Sequence, residues 1–283
     1  MNVRTPDSAS AHTVPLIHSV RAGDYDRFLT VLFAPVERRA ALVALIAFNL
    51  EIARIRDLVT EPMLGQIRLQ WWHEACAEAF AGKPRRHDVL ESLAQGPVPP
   101  SLIEEMLDAR EIEYQPEPIA TLSDLRSYAS GTSGALTEAM AAVLGGNTVS
   151  RKAARAVGTA FGLAGVLRAV RFHANHNRVL LPSALLEESG TSTGALQALR
   201  SEPGLARAAE RIADAAREEL ATARGLELGR DSDSRAVFSL TPLTEAYLAR
   251  LQKKKFDLLG ADLTLTPLRK QLTVGWASLR GKF

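Results

Sequence analysis

The chain has 283 residues, of which 46% are apolar and 23% charged, and its formal net charge is +2. Such a composition is typical of a globular protein large enough to bury a core without metal or disulfide crosslinks. The small net charge argues against nucleic acid as a partner, and the single cysteine, Cys76, excludes an internal disulfide. No apolar run approaches the roughly 20 residues that a membrane-spanning helix needs.

The first residues of the chain carry no recognisable targeting signal. Residues 1–15 have neither the apolar core of a signal peptide nor the arginine-rich amphipathic pattern of a transit peptide. We therefore expect a disordered segment at 1–20, a single helical domain at 21–283 and a cytoplasmic location.

Apolar residues recur three or four residues apart along most of the chain, which predicts amphipathic helices. The segments with this pattern are, in chain order, 24–33, 36–58, 63–80, 101–114, 121–128, 133–144, 150–171, 204–224, 240–259 and 267–279. A shorter helix is expected to end at Gly96. Strict alternation of apolar and polar residues, the pattern of a half-buried strand, is found nowhere. The sequence thus predicts an all-α, single-domain helical bundle.

Two segments carry a resemblance to a known family. Residues 38–57 read RRAALVALIAFNLEIARIRD and residues 161–182 read FGLAGVLRAVRFHANHNRVLLP, with Trp71 and Trp72 between them. In order and spacing they resemble the squalene/phytoene synthase family, whose members join two prenyl diphosphates head to head. The resemblance spans most of the chain and implies an isoprenoid-synthase-type bundle around a central cavity.

The same segments depart from the family where its chemistry takes place. In the family each segment presents two aspartates four residues apart, which lie on one helix face and hold Mg²⁺ against the substrate diphosphates. The corresponding residues here are Ala53 and Asp57 in the first segment and Ala169 and His173 in the second. One carboxylate of four remains, so we expect a pseudoenzyme without a metal or other cofactor.

The alternative is a divergent head-to-head prenyltransferase of the squalene/phytoene synthase type that uses Mg²⁺. Asp57 would then bind the metal with help from another carboxylate, such as that of Glu51, Asp108 or Glu113. A third hypothesis is a lipid carrier that uses the cavity without chemistry.

One subset of the family shows similar losses. The stretches 48–72 and 167–182 resemble the phytoene-synthase-like assembly factors of respiratory complex I, which lack the catalytic aspartates. This resemblance implies a role in complex I assembly, with respiratory complex subunits as partners. The alanine- and arginine-rich composition and the missing transit peptide favour a bacterial member.

Basic and titratable residues stand near the lost carboxylates of the second segment. We expect an anion-binding cavity mouth, because guanidinium groups bind phosphate or carboxylate without a metal between them. The predicted ligand-binding residues are Arg168, Arg171, His173, His176, Arg178, Asp57 and Trp71. The predicted ligand is an anionic lipid or a prenyl diphosphate, and an acidic segment of a partner is an alternative. A solvated basic loop, or an ion pair of Asp57 with Arg54 or Arg56, would explain the same residues without function.

Two further patterns allow two interpretations each. The small residues Gly158, Gly162, Gly165 and Ala169 indicate close helix packing or a widened cavity wall. The last predicted helix, 267–279, is amphipathic and basic. It is either an ordinary bundle helix or a peripheral contact with an anionic inner membrane.

Overall fold

The computed structural model describes residues 8–227 and 233–279, and within these ranges it is all helical, without a strand. The α-helices, in chain order, are α1 Ser8–Gly23, α2 Tyr25–Leu32, α3 Val36–Leu58, α4 Pro62–Phe80, α5 Asp88–Gln95, α6 Pro100–Asp108, α7 Leu122–Ala129, α8 Ala135–Val143, α9 Thr148–Asn175, α10 Ser183–Glu188, α11 Thr193–Gln197, α12 Pro203–Arg224, α13 Leu240–Lys253 and α14 Pro267–Leu279. Two 3₁₀ turns, Glu111–Tyr114 and Asp233–Ser239, and a π-helical turn, Ser130–Gly134, complete the set. The predicted all-α class is confirmed.

The disordered segment expected at 1–20 is wrong for its later part. Residues 8–20 belong to α1, and Leu16 and Val20, four residues apart, are buried against α3. Two apolar side chains on one face were enough to attach this helix to the bundle, although the pattern is too short to stand out in the sequence. Residues 1–7 lie outside the described residues.

Helix ends differ from the predictions where local backbone geometry intervenes. The segment expected to run to residue 259 ends at Lys253, because Lys255 and Phe256 adopt positive φ angles of 52° and 55°. Helix α9 begins two residues earlier than expected, where the Asn147 side chain accepts a hydrogen bond of 2.9 Å from the Ser150 amide.

Helix α9 is the central element of the bundle and packs against α8, α12 and α13. It is long and apolar enough to cross a membrane by length and composition, but 72% of its apolar window is buried inside the protein. The surrounding helices therefore account for its apolar character, as expected of a core helix.

The small residues of α9, Gly158 to Ala169, serve both predicted purposes, each on a different turn of the helix. A Cβ at Gly158 would lie 2.4 Å from Thr137 Oγ1 and 2.5 Å from the Ser133 carbonyl oxygen, so α8 and the π turn approach this helix closely. A Cβ at Gly165 would meet no atom within 4 Å. The first half of α9 is thus a packing surface, whereas the second half borders open space.

A buried ionic cluster holds the C-terminal helices against α2 and α9. The Tyr247 hydroxyl donates a hydrogen bond of 2.7 Å to Asp26, and the Lys270 ammonium lies 2.8 Å from the same carboxylate. The Arg168 guanidinium lies 3.7 Å from Asp26 and 3.6 Å above the Tyr247 ring. Lys270 of α14 therefore points into the protein, while Trp276 and the rest of an apolar stripe on α14 point outward.

Candidate functional site

A central cavity of about 740 Å³ lies between the C-terminal halves of α3 and α9 and the 3₁₀ turn at 111–114. Ala53 and Asp57 of α3 and Ala169 and His173 of α9 all line it. Residues four apart on a helix share a face, so the two segments direct these four positions into one space. The structure thus brings the four degenerate family positions together.

About half of the residues that line the cavity are apolar or small. Its apolar and small lining residues include Ile112, Ile119, Gly162, Gly165, Val166 and Leu180. Because alanine replaces aspartate at positions 53 and 169, the interior is wider and less polar there than four carboxylates would make it. A wall of this kind suits a hydrocarbon chain.

An ion pair occupies the mouth of the cavity. Arg178 Nη2 donates a hydrogen bond of 2.5 Å to Asp57 Oδ1, across 121 positions of sequence. The Asp57 side chain is 41% exposed, whereas the Arg178 side chain is largely buried. The expected partners are engaged elsewhere, since Arg54 lies 3.8 Å from Glu51 and Arg56 donates to the Glu113 carbonyl oxygen at 3.1 Å.

A second, more deeply buried cluster also lines the cavity. Arg110 donates hydrogen bonds of 2.7 Å to Glu113 and 3.1 Å to the Asn49 side chain. The Tyr128 hydroxyl donates to the same Glu113 oxygen at 2.8 Å. Burial and the negative charge of Glu113 raise the pKa of Tyr128, which keeps its hydroxyl protonated as the donor.

His173 is the titratable group most strongly perturbed at the mouth. Burial, followed by the positive charge of Arg178, lowers the pKa of His173 to about 4. The imidazole is therefore neutral near pH 7. Among the described residues, His173 Nδ1 and Arg178 Nε are buried nitrogens without a hydrogen-bond partner. Polar groups in this condition are satisfied by a ligand or by water at the mouth.

The acidic residues of the cavity do not fit the family's magnesium cluster. Asp57, Glu113 and Glu117 line it, but Asp57 and Glu113 are each bonded to an arginine. Of the carboxylates proposed to assist Asp57, Glu113 lines the cavity but is bonded to Arg110, Glu51 faces Arg54, and Asp108 lies outside the cavity. Ligands for Mg²⁺ must converge as free oxygens around one point, and these oxygens do not.

Several predicted ligand-binding residues lie away from the cavity. Arg168 belongs to the buried Asp26 cluster, because a residue adjacent to Ala169 on the helix faces a different direction. Arg171 and His176 are exposed and do not line the cavity, and His176 Nδ1 lies 2.8 Å from the Phe172 carbonyl oxygen. Trp71 lies on the outer face of α4, whereas Trp72 is in the core. Only Asp57, His173 and Arg178 of the predicted set line the cavity.

Two arginines of the cavity were missed by the sequence analysis. Arg56 stands three residues after Ala53, on the same helix face, and this spacing could have identified it. Arg110 lies outside both family-like segments, just before the 3₁₀ turn, so no local pattern marks it.

The sequence profile of the squalene/phytoene synthase family matches residues 20–272. The chain therefore belongs to the squalene/phytoene synthase family.

Within the family it is similar to proteins named for complex I assembly. A rat protein named NADH dehydrogenase (ubiquinone) complex I, assembly factor 6, is 28% identical over 279 residues, which cover 94% of this chain and 84% of that protein. The human protein of the same name is 27% identical over 258 residues, covering 88% and 78% of the two chains. The resemblance to the assembly-factor subset is confirmed. These relatives are eukaryotic and give no support to a bacterial origin, which stays a prediction.

Solved structures confirm the isoprenoid-synthase-type bundle. A dehydrosqualene synthase in complex with a ligand superposes with a TM-score of 0.80 at 18% identity, over 96% of this chain and 97% of that chain. A squalene synthase from Alicyclobacillus acidocaldarius gives a TM-score of 0.75 at 20% identity, over 89% and 97%. At these identities the likeness concerns the fold alone.

Proposed function

We propose that this protein assists the assembly of respiratory complex I as a non-catalytic member of its family. The observation that carries the proposal is the state of the one remaining family aspartate. Asp57 is bound to Arg178 at 2.5 Å, and the other three positions hold Ala53, Ala169 and His173. The names of the similar rat and human proteins support the assembly role, and respiratory complex subunits are its proposed partners.

The cavity chemistry argues against prenyl transfer. Departure of a diphosphate from a prenyl group needs divalent ions to stabilise the negative charge that develops. Asp57 offers its oxygens to a guanidinium instead, and neutral His173 prefers softer metals than Mg²⁺. A cavity that has lost its metal ligands can still bind a prenyl diphosphate without converting it.

The proposed occupant of the cavity is an anionic amphiphile, either an anionic lipid or a prenyl diphosphate. Arg178 and Arg56 provide guanidinium groups for a phosphate at the mouth, and the apolar wall accommodates the chain. The volume of about 740 Å³ lies within the range of small-molecule sites. Neutral His173 adds a hydrogen-bonding group beside the arginine without adding charge.

The proposed location is the cytoplasmic side of the inner membrane, with peripheral contact through α14. The apolar side chains of Leu268, Leu272 and Trp276 follow each other at four-residue spacing on its exposed face. Arg269 beside them and the exposed run Lys253–Lys255 near the end of α13 supply positive charge. Apolar and basic side chains on one surface are the combination that binds anionic bilayers.

Two measurements test the proposed function. Deletion of the gene in an organism that makes complex I should reduce assembled complex on native gels, and the wild-type chain should restore it. Purified protein incubated with farnesyl diphosphate and Mg²⁺ should release no diphosphate. Normal complex I in the deletion strain would contradict the assembly role, and metal-dependent diphosphate release would establish the divergent prenyltransferase instead.

A further inference from the structure

Helix α4 exposes an apolar stripe that its own packing does not use. Met63, Leu64, Ile67 and Trp71 stand on three successive turns and are 38–70% exposed. The buried face of the helix, with Trp72 and Cys76, makes the core contacts. Apolar side chains at positions i, i+4 and i+8 of an exposed helix are the arrangement that receives another helix.

The stripe borders a groove of about 550 Å³ between α4 and the 3₁₀ turn at 111–114. Ile67 and Trp71 form its apolar side, and Leu69 also lines it. The groove is separate from the central cavity, with Gln115 lining both.

Trp71 is held in place before any partner arrives. Its ring packs edge-on against Trp72 with centroids 5.2 Å apart, and the Arg85 guanidinium lies 5.3 Å above it. Arg85 is itself fixed by hydrogen bonds of 2.7 and 2.9 Å to Glu78. A preorganised aromatic ring loses little conformational freedom on binding, which is typical of an interface anchor.

The polar edge of the groove is acidic. Glu74 and Glu111 line it; the Arg85 guanidinium above Trp71 lies 3.5 Å from Glu74 and offsets its charge, so Glu111 supplies the negative charge of this edge. The exposed carboxylate of Asp108 adds to this edge, 3.6 Å from His73 Nε2. Convergent carboxylates repel anionic lipid head groups and attract lysine and arginine side chains.

We propose that this groove binds an amphipathic helix of a partner protein, with an apolar face against Ile67 and Trp71 and basic residues beside Asp108 and Glu111. The acidic edge selects a basic protein segment over an anionic membrane, in contrast to α14, where apolar and basic residues coincide. The proposal goes beyond the assembly role and depends neither on that role nor on the central cavity.

The test uses two labelled synthetic helices with the same leucine pattern, one flanked by lysine and one by glutamate. Fluorescence anisotropy with the full chain should show binding of the lysine peptide and at least about tenfold weaker binding of the glutamate peptide. Ile67→Ser should weaken the lysine peptide about tenfold, and Glu111→Lys should weaken it at least about threefold at low salt. Val36→Ser and Glu210→Lys change exposed residues on other helices and should have no effect.

Several results would overturn the proposal. One is equal binding of the two peptides, and another is an affinity unaffected by Ile67→Ser. Vesicles of phosphatidylcholine and phosphatidylglycerol that bind the wild-type chain but not Ile67→Ser would identify a membrane surface. Self-association in sedimentation experiments that Ile67→Ser abolishes would identify a second copy as the occupant. Because these assays contain no respiratory subunits, their outcome is independent of the deletion experiment on complex I.

Discussion

Helix α9 separates two ionic clusters that are built from the same side-chain types. On one side Asp26, with Arg168 and Lys270, is buried, its side chain only 6% exposed. On the cavity side Asp57 pairs with Arg178 at a mouth where the carboxylate remains open to solvent. Burial, not the identity of the pair, therefore distinguishes the two clusters: Asp26 is enclosed by the protein, whereas the Asp57 carboxylate remains accessible to solvent.

The largest expected effect comes from removing the buried charge. Asp26→Asn leaves Arg168 and Lys270 without their shared carboxylate, and loss of one member of a buried ionic group costs about 3–5 kcal/mol. Urea denaturation followed by circular dichroism measures the change. The matched variant Asp57→Asn changes a carboxylate that is 41% exposed and should cost less, about 1–2 kcal/mol, because solvent screens the pair although Arg178 is largely buried. Equal losses in the two variants would show that burial does not separate the clusters.

The two halves of α9 should respond in opposite directions to an added methyl group. Gly158→Ala places a Cβ within 2.5 Å of Thr137 and the Ser133 carbonyl, and such overpacking destabilises by about 1–3 kcal/mol. Gly165→Ala meets open space and should gain up to about 1 kcal/mol of helix propensity. Thermal unfolding of both variants checks the difference, and a destabilised Gly165→Ala would contradict an open wall at that turn.

The cavity side should also produce a pH dependence that comes from His173. Its pKa of about 4 in the folded protein lies below the unfolded value near 6.5, so the unfolded chain binds more protons between these limits. Above about pH 6.5 His173 is neutral in both states and does not lower the free energy of unfolding. As the pH is lowered toward 4, the unfolded chain takes up the proton and the free energy of unfolding falls. The loss is on the order of 2 kcal/mol, allowing for partial exposure.

Urea unfolding at several pH values, compared between wild type and His173→Gln, isolates this contribution. The variant should lose less stability than wild type between pH 6.5 and 4. His18→Gln, which changes an exposed histidine on α1, should keep the wild-type slope. Identical slopes in wild type and His173→Gln would show that His173 is not the responsible group.

The sequence was sufficient for the fold class and for the positions of the four family residues. Helical periodicity is a local property, and spacing of four residues fixes Ala53 with Asp57, and Ala169 with His173, on common faces. The resemblance of the two segments to the family then implied that both faces line one cavity. Their role in ligand binding stays a prediction.

Contacts between distant parts of the chain could not be predicted in the same way. The partner of Asp57 is 121 positions away, and Arg110 enters the cavity from a turn without a recognisable motif. Arg168 lies away from the cavity although it is next to Ala169 in sequence, because adjacent residues on a helix point about 100° apart. Burial of Asp26 by a lysine of α14 depends on tertiary packing alone.

Asp57→Asn should change the binding of a prenyl diphosphate more clearly than it changes the stability of the fold. If Asp57 acts as an internal anion on Arg178, Asp57→Asn removes a competitor and should strengthen binding of farnesyl diphosphate in EDTA by about tenfold. Arg178→Gln should weaken the same binding, and Arg54→Gln, whose side chain faces Glu51, should leave it unchanged. Titration calorimetry measures all three. A magnesium-dependent enzyme would give the reverse sign, because it needs its last aspartate to hold the metal. Weaker binding by Asp57→Asn, restricted to buffers containing Mg²⁺, would therefore refute a metal-free anion site.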